Sequence, residues 1–309
     1  MGIGKRTLDR MDIILRLGII LLILVFVLYP FFAVFSKALY IDGGFDLGEF
    51  LFLKDEFYLM KNSLVSSLIT ALLSTIFALA LGLMTFFISK RQRKILMVIL
   101  LLTMVSPPFI GSLTYIELFG RNGFITKKIL NLSLNPYGLW GIVSVQTLGF
   151  TSTNAILLIG YLDAFDRTMI EAAKSLKAKT TGIILDIIIP LMKPAIAVSF
   201  LLSFIRSMAD FTSPMIIGGA YNTLATEAYL SIIAKGNSPR ASAISIILFI
   251  PSILVFIVYN YFSKEQQRAS KSSRESQVRM KKRGIYYLIA LLASFFVLWL
   301  LIQYLAIFT

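Results

Sequence analysis

Seven mostly apolar stretches, each long enough to cross a bilayer, leave this sequence few alternatives to a bundle of membrane helices. Crossing about 30 Å of hydrocarbon takes about 20 residues at about 1.5 Å per residue. The stretches cover residues 13–34, 64–88, 95–119, 138–161, 195–217, 243–262 and 285–308. With 57% apolar residues, 15% charged residues and a mean hydropathy of +0.82, the chain is too apolar for a water-soluble domain of 309 residues. The expected class is all-α and polytopic. The first stretch is too long for the apolar core of a signal peptide and is followed by further spans, so it reads as a retained helix.

The net charge of +14 would suggest nucleic acid in a soluble protein, but its distribution points elsewhere. Of the 30 Lys and Arg residues, 21 fall before span one or in the loops after spans two, four and six. Only eight fall in the alternate loops, with Arg206 left inside a span. That asymmetry orients the helices with the N-terminus cytoplasmic, and it leaves no nucleic-acid footprint to explain. An odd number of spans then puts the C-terminal end outside.

The chain has no Cys and no His, which removes thiolate nucleophiles, His-based acid–base chemistry and the usual zinc sites. No catalytic or metal-ligating set is expected. A phosphate-cradling loop needs G-x-x-x-x-G-K-[ST], and Gly4-Lys5 is followed by Arg6 and lacks the upstream Gly.

Polar side chains within the spans each need a partner or a wet face. Arg206 and Asp210 are four residues apart, so a helix would let them pair, either structurally or lining a path. Glu117 falls near the end of span three and reads as interfacial. Gln146, Thr147, Thr151 and Asn154 form a polar stripe on span four, suited to helix–helix hydrogen bonding or to pore lining. Pro107-Pro108 and Pro251 should kink or break spans three and six. Asp210 to Gly219 contains Pro214, Gly218 and Gly219, which suits a helix that ends or re-enters within the membrane, as a gate or as a plain helix end.

The loop 163–194 is longer and more helix-prone than a turn between hairpin spans. It reads EAAKSLKAKTTGIILDIIIPLMKPAI from Glu171 to Ile196. Two short helices are expected. The first carries Ala172, Ala173, Leu176 and Ala178, with Asp166 or Thr168 as N-cap and Gly182 near its stop. The second covers 183–189, and Pro190 and Pro194 should end it before span five.

This loop resembles the cytoplasmic EAA loop of the membrane subunits of bacterial binding-protein-dependent ABC importers. That pattern is Glu-Ala-Ala, three residues, Gly, nine residues, Ile, any residue, Leu, Pro. Here Glu171-Ala172-Ala173 is followed by Lys177 at the Gly position, then Ile187, Ile189 at the Leu position, and Pro190. A second block, ADFTSPMIIGGAYNTLATEAYL from Ala209, looks like the corresponding region of ferric-iron-type permeases and their polyamine and aminophosphonate relatives.

The resemblance implies a six-helix importer permease core of the MetI-like type I fold over residues 1–262, with a coupling loop at 163–194. A basic linker at 263–284 and a seventh span at 285–309 would follow, the latter as the start of a second permease half or as a genuine extra helix. Glu171, Ala172, Ala173, Leu176, Lys177, Gly182 and Pro190 would engage the ATPase. Gln146, Asn154, Arg206, Asp210, Pro214, Gly218 and Gly219 are candidates for the path or gate.

Implied partners are two ATP-binding cassette ATPase subunits, a second permease half, an extracytoplasmic substrate-binding protein and the lipid of a bacterial cytoplasmic membrane. The chain itself would hold no cofactor, ATP and Mg being bound by the ATPase. Ferric iron is the expected cargo, with a polyamine, an aminophosphonate or an inorganic anion as alternatives. A membrane receptor or scaffold is the alternative of another class.

Overall fold

In a computed structural model of the chain, the residues described are 15–41, 43–105, 108–132, 135–164, 168–269, 280–282 and 284–306. The helices among them are α1 (Leu15–Leu39), α2 (Phe57–Met84), α3 (Lys90–Val105), α4 (Pro108–Phe119) and α5 (Leu139–Asp163). They continue with α6 (Thr168–Ser175), α7 (Thr180–Ala209), α8 (Thr212–Ile217), α9 (Leu224–Ile233), α10 (Ser238–Ala269) and α11 (Tyr286–Ala306). The described strand pairing is a two-residue antiparallel hairpin, Tyr40–Ile41 against Gly44–Phe45.

Among the described residues, six helices are long and apolar enough to cross a membrane: α1, α2, α5, α7, α10 and α11. Span three is not straight. It is made by α3 and α4, which meet at a 100° bend. Pro107 lies outside the described residues, while Pro108 opens α4, where its missing N–H costs no helical bond. At Pro251, where a kink or break is expected, α10 is continuous. This helix also continues to Ala269, so the first residues of the linker are helical; 270–279 and 283 lie outside the described residues.

The larger correction concerns span five. It begins at Thr180, not near Ala195, and passes through both Pro190 and Pro194. Residues Ile183–Ile188 form a π-turn in which the Ile189 N–H donates to the Ile184 carbonyl. Widening the helix by one residue just before Pro190 makes room for a ring that would otherwise crowd the preceding carbonyls. Gly182 is accordingly no stop signal, since it sits in the first turn of α7 with ordinary helical backbone angles.

The chain divides into two compact units. One takes the residues up to Phe57 together with Glu227–Phe249. Within it, Arg240 bonds Glu56 at 2.7 Å and lies 3.3 Å from Glu227, and Lys235 bonds Glu227 at 2.6 Å. Asn237 donates to Glu49 at 3.2 Å, and the ring of Phe31 meets that of Phe249 at 5.2 Å. The side chains of α1 from Leu15 to Phe32 are exposed on this chain.

The other unit takes Tyr58–Thr226 and the residues from Ile250 onward. Its apolar core joins Phe77, Leu81, Leu158, Ile184, Ile188 and Met192 with Ile289, Ala293, Phe296 and Leu300 of α11. The ring of Phe77 sits 5.9 Å from those of both Phe295 and Phe296, so α11 is built into the core and does not trail from it. Basic segments from three regions meet at one end of this unit. Arg93 pairs with Asp163, the Met280 N–H donates to the Phe86 carbonyl at 3.0 Å, and the Thr180 hydroxyl donates to the Lys281 carbonyl at 3.2 Å.

Candidate coupling loop and polar seam

The residues singled out from the sequence fall into two places within the second unit. The first is the loop carrying α6. Ile170 is buried and anchors the helix, while Glu171, Ala172 and Ser175 are exposed. Leu176 is 84% exposed, which is costly for a large apolar side chain with nothing against it. Lys174 is half-buried, and burial pushes its ammonium below the usual lysine range, partly opposed by the nearby Glu171 carboxylate. Arg167 and the possible N-cap Asp166 lie outside the described residues.

Lys177 ends α6 where a glycine stands in the related pattern. Its φ of 59° is left-handed. The Ala178 N–H donates to the Ala173 carbonyl at 3.0 Å and the Lys177 N–H to the Lys174 carbonyl at 2.9 Å. Together these make the paired bonds of a Schellman stop, a motif that prefers Gly because other residues pay about 1–2 kcal/mol for that conformation. The lysine thus makes the glycine's turn. Pro190 is exposed about 15 Å of helix beyond the start of α7, away from α6 in sequence.

The second place is a seam of small and polar side chains where α2, α5 and α7 meet. Gln146 is its centre. Its Oε1 accepts from the hydroxyls of Ser207 at 2.7 Å and Thr70 at 3.1 Å, and its Nε2 donates to Asp210 Oδ2 at 2.8 Å. Asn154 donates to Ser203 Oγ at 2.6 Å and Ser74 Oγ at 3.4 Å. Both amides are buried, so on this chain they bond helix to helix.

Sequence reading missed the partner helices of this seam. The signal was present as Ser and Thr at helical spacing: Ser63, Ser66, Thr70 and Ser74 on α2, and Ser199, Ser203 and Ser207 on α7.

The expected pair between Arg206 and Asp210 does not form. Asp210 lies past the last helical residue with ψ of 113°, so it no longer shares a helical face with Arg206. Its Oδ1 instead accepts the N–H groups of Thr212 at 2.9 Å and Ser213 at 3.3 Å, capping α8, while Gln146 takes Oδ2. Arg206 is exposed.

The segment after Asp210 is the short helix α8, with Pro214 buried in it, followed by a tight turn. At Gly218 a Cβ would collide with the Pro214 carbonyl oxygen, and Gly219 has a φ of 57°. The Ile217 carbonyl accepts the Gly138 N–H at 2.9 Å, and Ile217 packs with Tyr115 and Val145. Glu117 is exposed and borders a cavity of about 540 Å³ with Lys128 and Leu305.

Comparison with known proteins adds to this geometry. The family model described as binding-protein-dependent transport system inner membrane component matches residues 74–268. The chain is 31% identical to the putative ferric transport system permease protein FbpB 1 of Haemophilus influenzae, over 97% of this chain and 49% of that protein. It is 32% identical to the ferric transport system permease protein FbpB of Actinobacillus pleuropneumoniae, over 94% of this chain and 44% of that one. To the spermidine/putrescine transport system permease protein PotC of Escherichia coli it is 28% identical, over 66% of this chain and 75% of the relative.

The chain therefore spans about half the length of the ferric permeases it matches. Among solved structures, a bacterial alginate ABC transporter in complex with an alginate pentasaccharide-bound periplasmic protein aligns with a TM-score of 0.62 at 18% identity, over 88% of this chain and 99% of that one. The MetNI methionine ABC transporter in inward-facing conformations aligns with a TM-score of 0.57 at 15% identity, over 69% and 98%.

Proposed function

The chain belongs to the binding-protein-dependent transport system inner membrane component family, and on that premise we propose that it is a permease subunit of an ATP-driven importer of the ferric type. It is a multi-pass membrane protein, and ATP hydrolysis is assigned to a separate ATPase. The observation that carries the reading is the loop around α6, which presents Glu171, Ala172 and Leu176 outward on a short helix held from behind by Ile170. Small alanines let a partner surface approach closely, and an exposed leucine beside a carboxylate gives that surface an apolar anchor with a charged rim.

The orientation proposed from the basic residues puts α6 in the cytoplasm of a bacterial inner membrane. Supporting it, the basic segments around Arg93, Lys281 and the start of α7 gather at one end of the second unit. A second permease half is proposed as partner. The half-length match to the ferric permeases favours it. An external binding protein delivers the cargo, and closure of two ATPases, transmitted through α6 into α7, changes the access of the path.

Purification in mild detergent tests this reading. The native complex should retain an ATPase chain, and Glu171→Lys should lose it while the membrane chain stays folded. Absence of any ATPase from the native complex would overturn the reading.

A further inference from the structure

Arg206 stands at a depth where an arginine is rarely left to lipid. Thr70 is the fourteenth of the 28 residues of α2, and it shares the Gln146 amide with Ser207. One turn along, Ser74 and Ser203 share Asn154. Arg206, between Ser203 and Ser207 on α7, is therefore level with the middle of α2 and lies about 10–15 Å of helix inside the Leu139 end of α5. With a hydrocarbon core of about 30 Å, that level is inside the membrane.

At this level Ser203, Phe204, Ser207 and Met208 are buried against the bundle, while Arg206 is exposed on the opposite face. Among the described residues, no carboxylate lies within 4.0 Å of its guanidinium. Asp210 is spent on Gln146, Thr212 and Ser213, with both of its oxygens engaged. A guanidinium held at that level is best placed facing water or another protein, since facing lipid is costly. Facing a water-filled passage bounded by low-dielectric walls, it attracts anions and repels cations.

Resting on the importer reading above, we propose that Arg206 faces the translocation path and that the solute passes it as an anion. The class is a small carboxylate- or phosphate-bearing solute, including ferric ion held within an anionic chelate. A free ferric ion or a polyamine would meet an uncompensated positive charge on its route. The guanidinium also offers a planar fork matched to carboxylate and phosphate oxygens.

The test uses the native complex, with its ATPase and binding protein, in proteoliposomes. Four probes are supplied separately: labelled ferric ion with labelled citrate, labelled ferric ion with labelled pyrophosphate, labelled phosphate alone, and labelled spermidine. The proposal expects ATP-dependent entry of an anion label, accompanied by iron where a chelate is the cargo, and no entry of spermidine. The citrate and pyrophosphate arms identify which anion travels.

Arg206→Met and Arg206→Glu should lower that uptake about tenfold or more, and Arg206→Lys should retain most of it. Each variant should still co-purify with the ATPase. Iron entering without either anion label, spermidine entering, or wild-type rates in Arg206→Met would overturn the charge assignment and leave the importer reading standing. Loss of assembly in Arg206→Met would also overturn it, by assigning the side chain to a contact with another chain. Failure of the wild-type complex to move any probe with ATP would count against the importer reading and, with it, the proposal.

Discussion

Gln146→Leu should destabilise the membrane bundle by about 3 kcal/mol, measured by denaturant titration in mixed micelles. Leucine fills much of the same volume, so the loss is chiefly polar. Three groups are orphaned together: the Asp210 carboxylate oxygen, the Ser207 hydroxyl and the Thr70 hydroxyl. A carboxylate stripped of a donor in a half-buried setting costs more than a neutral hydroxyl. Removing one peripheral member, as in Thr70→Val, should cost only about 0.6 kcal/mol, typical of single hydrogen bonds between membrane helices. Equal effects from the two variants would mean that Gln146 is not the centre of the seam.

Leu176→Asp should weaken ATPase association by about 10–100-fold without altering the stability of the membrane chain. At 84% exposure Leu176 contributes almost nothing to this chain's own core. Burying a leucine against a partner is worth about 1.5–3 kcal/mol, and an aspartate at the same place adds an unpaired charge to a desolvated contact. Titration of the ATPase onto the reconstituted chain measures the affinity, and thermal unfolding of the membrane chain alone supplies the control. A variant that binds as tightly as wild type would mean that this face of α6 is not the contact.

How legible each feature was depended on whether it was local. Six spans follow from length and apolarity, which need no knowledge of neighbours. Span five was misjudged at its start because Pro190 and Pro194 read as breaks, and nothing in the residues announces the π-turn at Ile183–Ile188 that accommodates them. The Arg206 and Asp210 pair looked natural at a spacing of four, but that spacing means proximity only while the helix continues, and α7 stops at Ala209.

Asp210's actual partner, Gln146, is 64 residues away and no local pattern links them. The loop carrying α6 was the most legible part of the candidate site, because its motif is contiguous. Even there, the left-handed conformation of Lys177 came from the structure, as nothing about a lysine indicates it.

The chain contains no cysteine, so Leu176→Cys creates a unique thiol at the exposed tip of α6. The most direct measurement is the rate at which a water-soluble thiol reagent labels that position in the membrane-embedded chain, with and without the ATPase pair. Docking of an ATPase on this loop predicts fast labelling of the chain alone and at least about tenfold slower labelling in the complex, relieved when the ATPase is stripped off. An unchanged rate in a complex that demonstrably contains the ATPase would contradict the central claim that α6 is the coupling element.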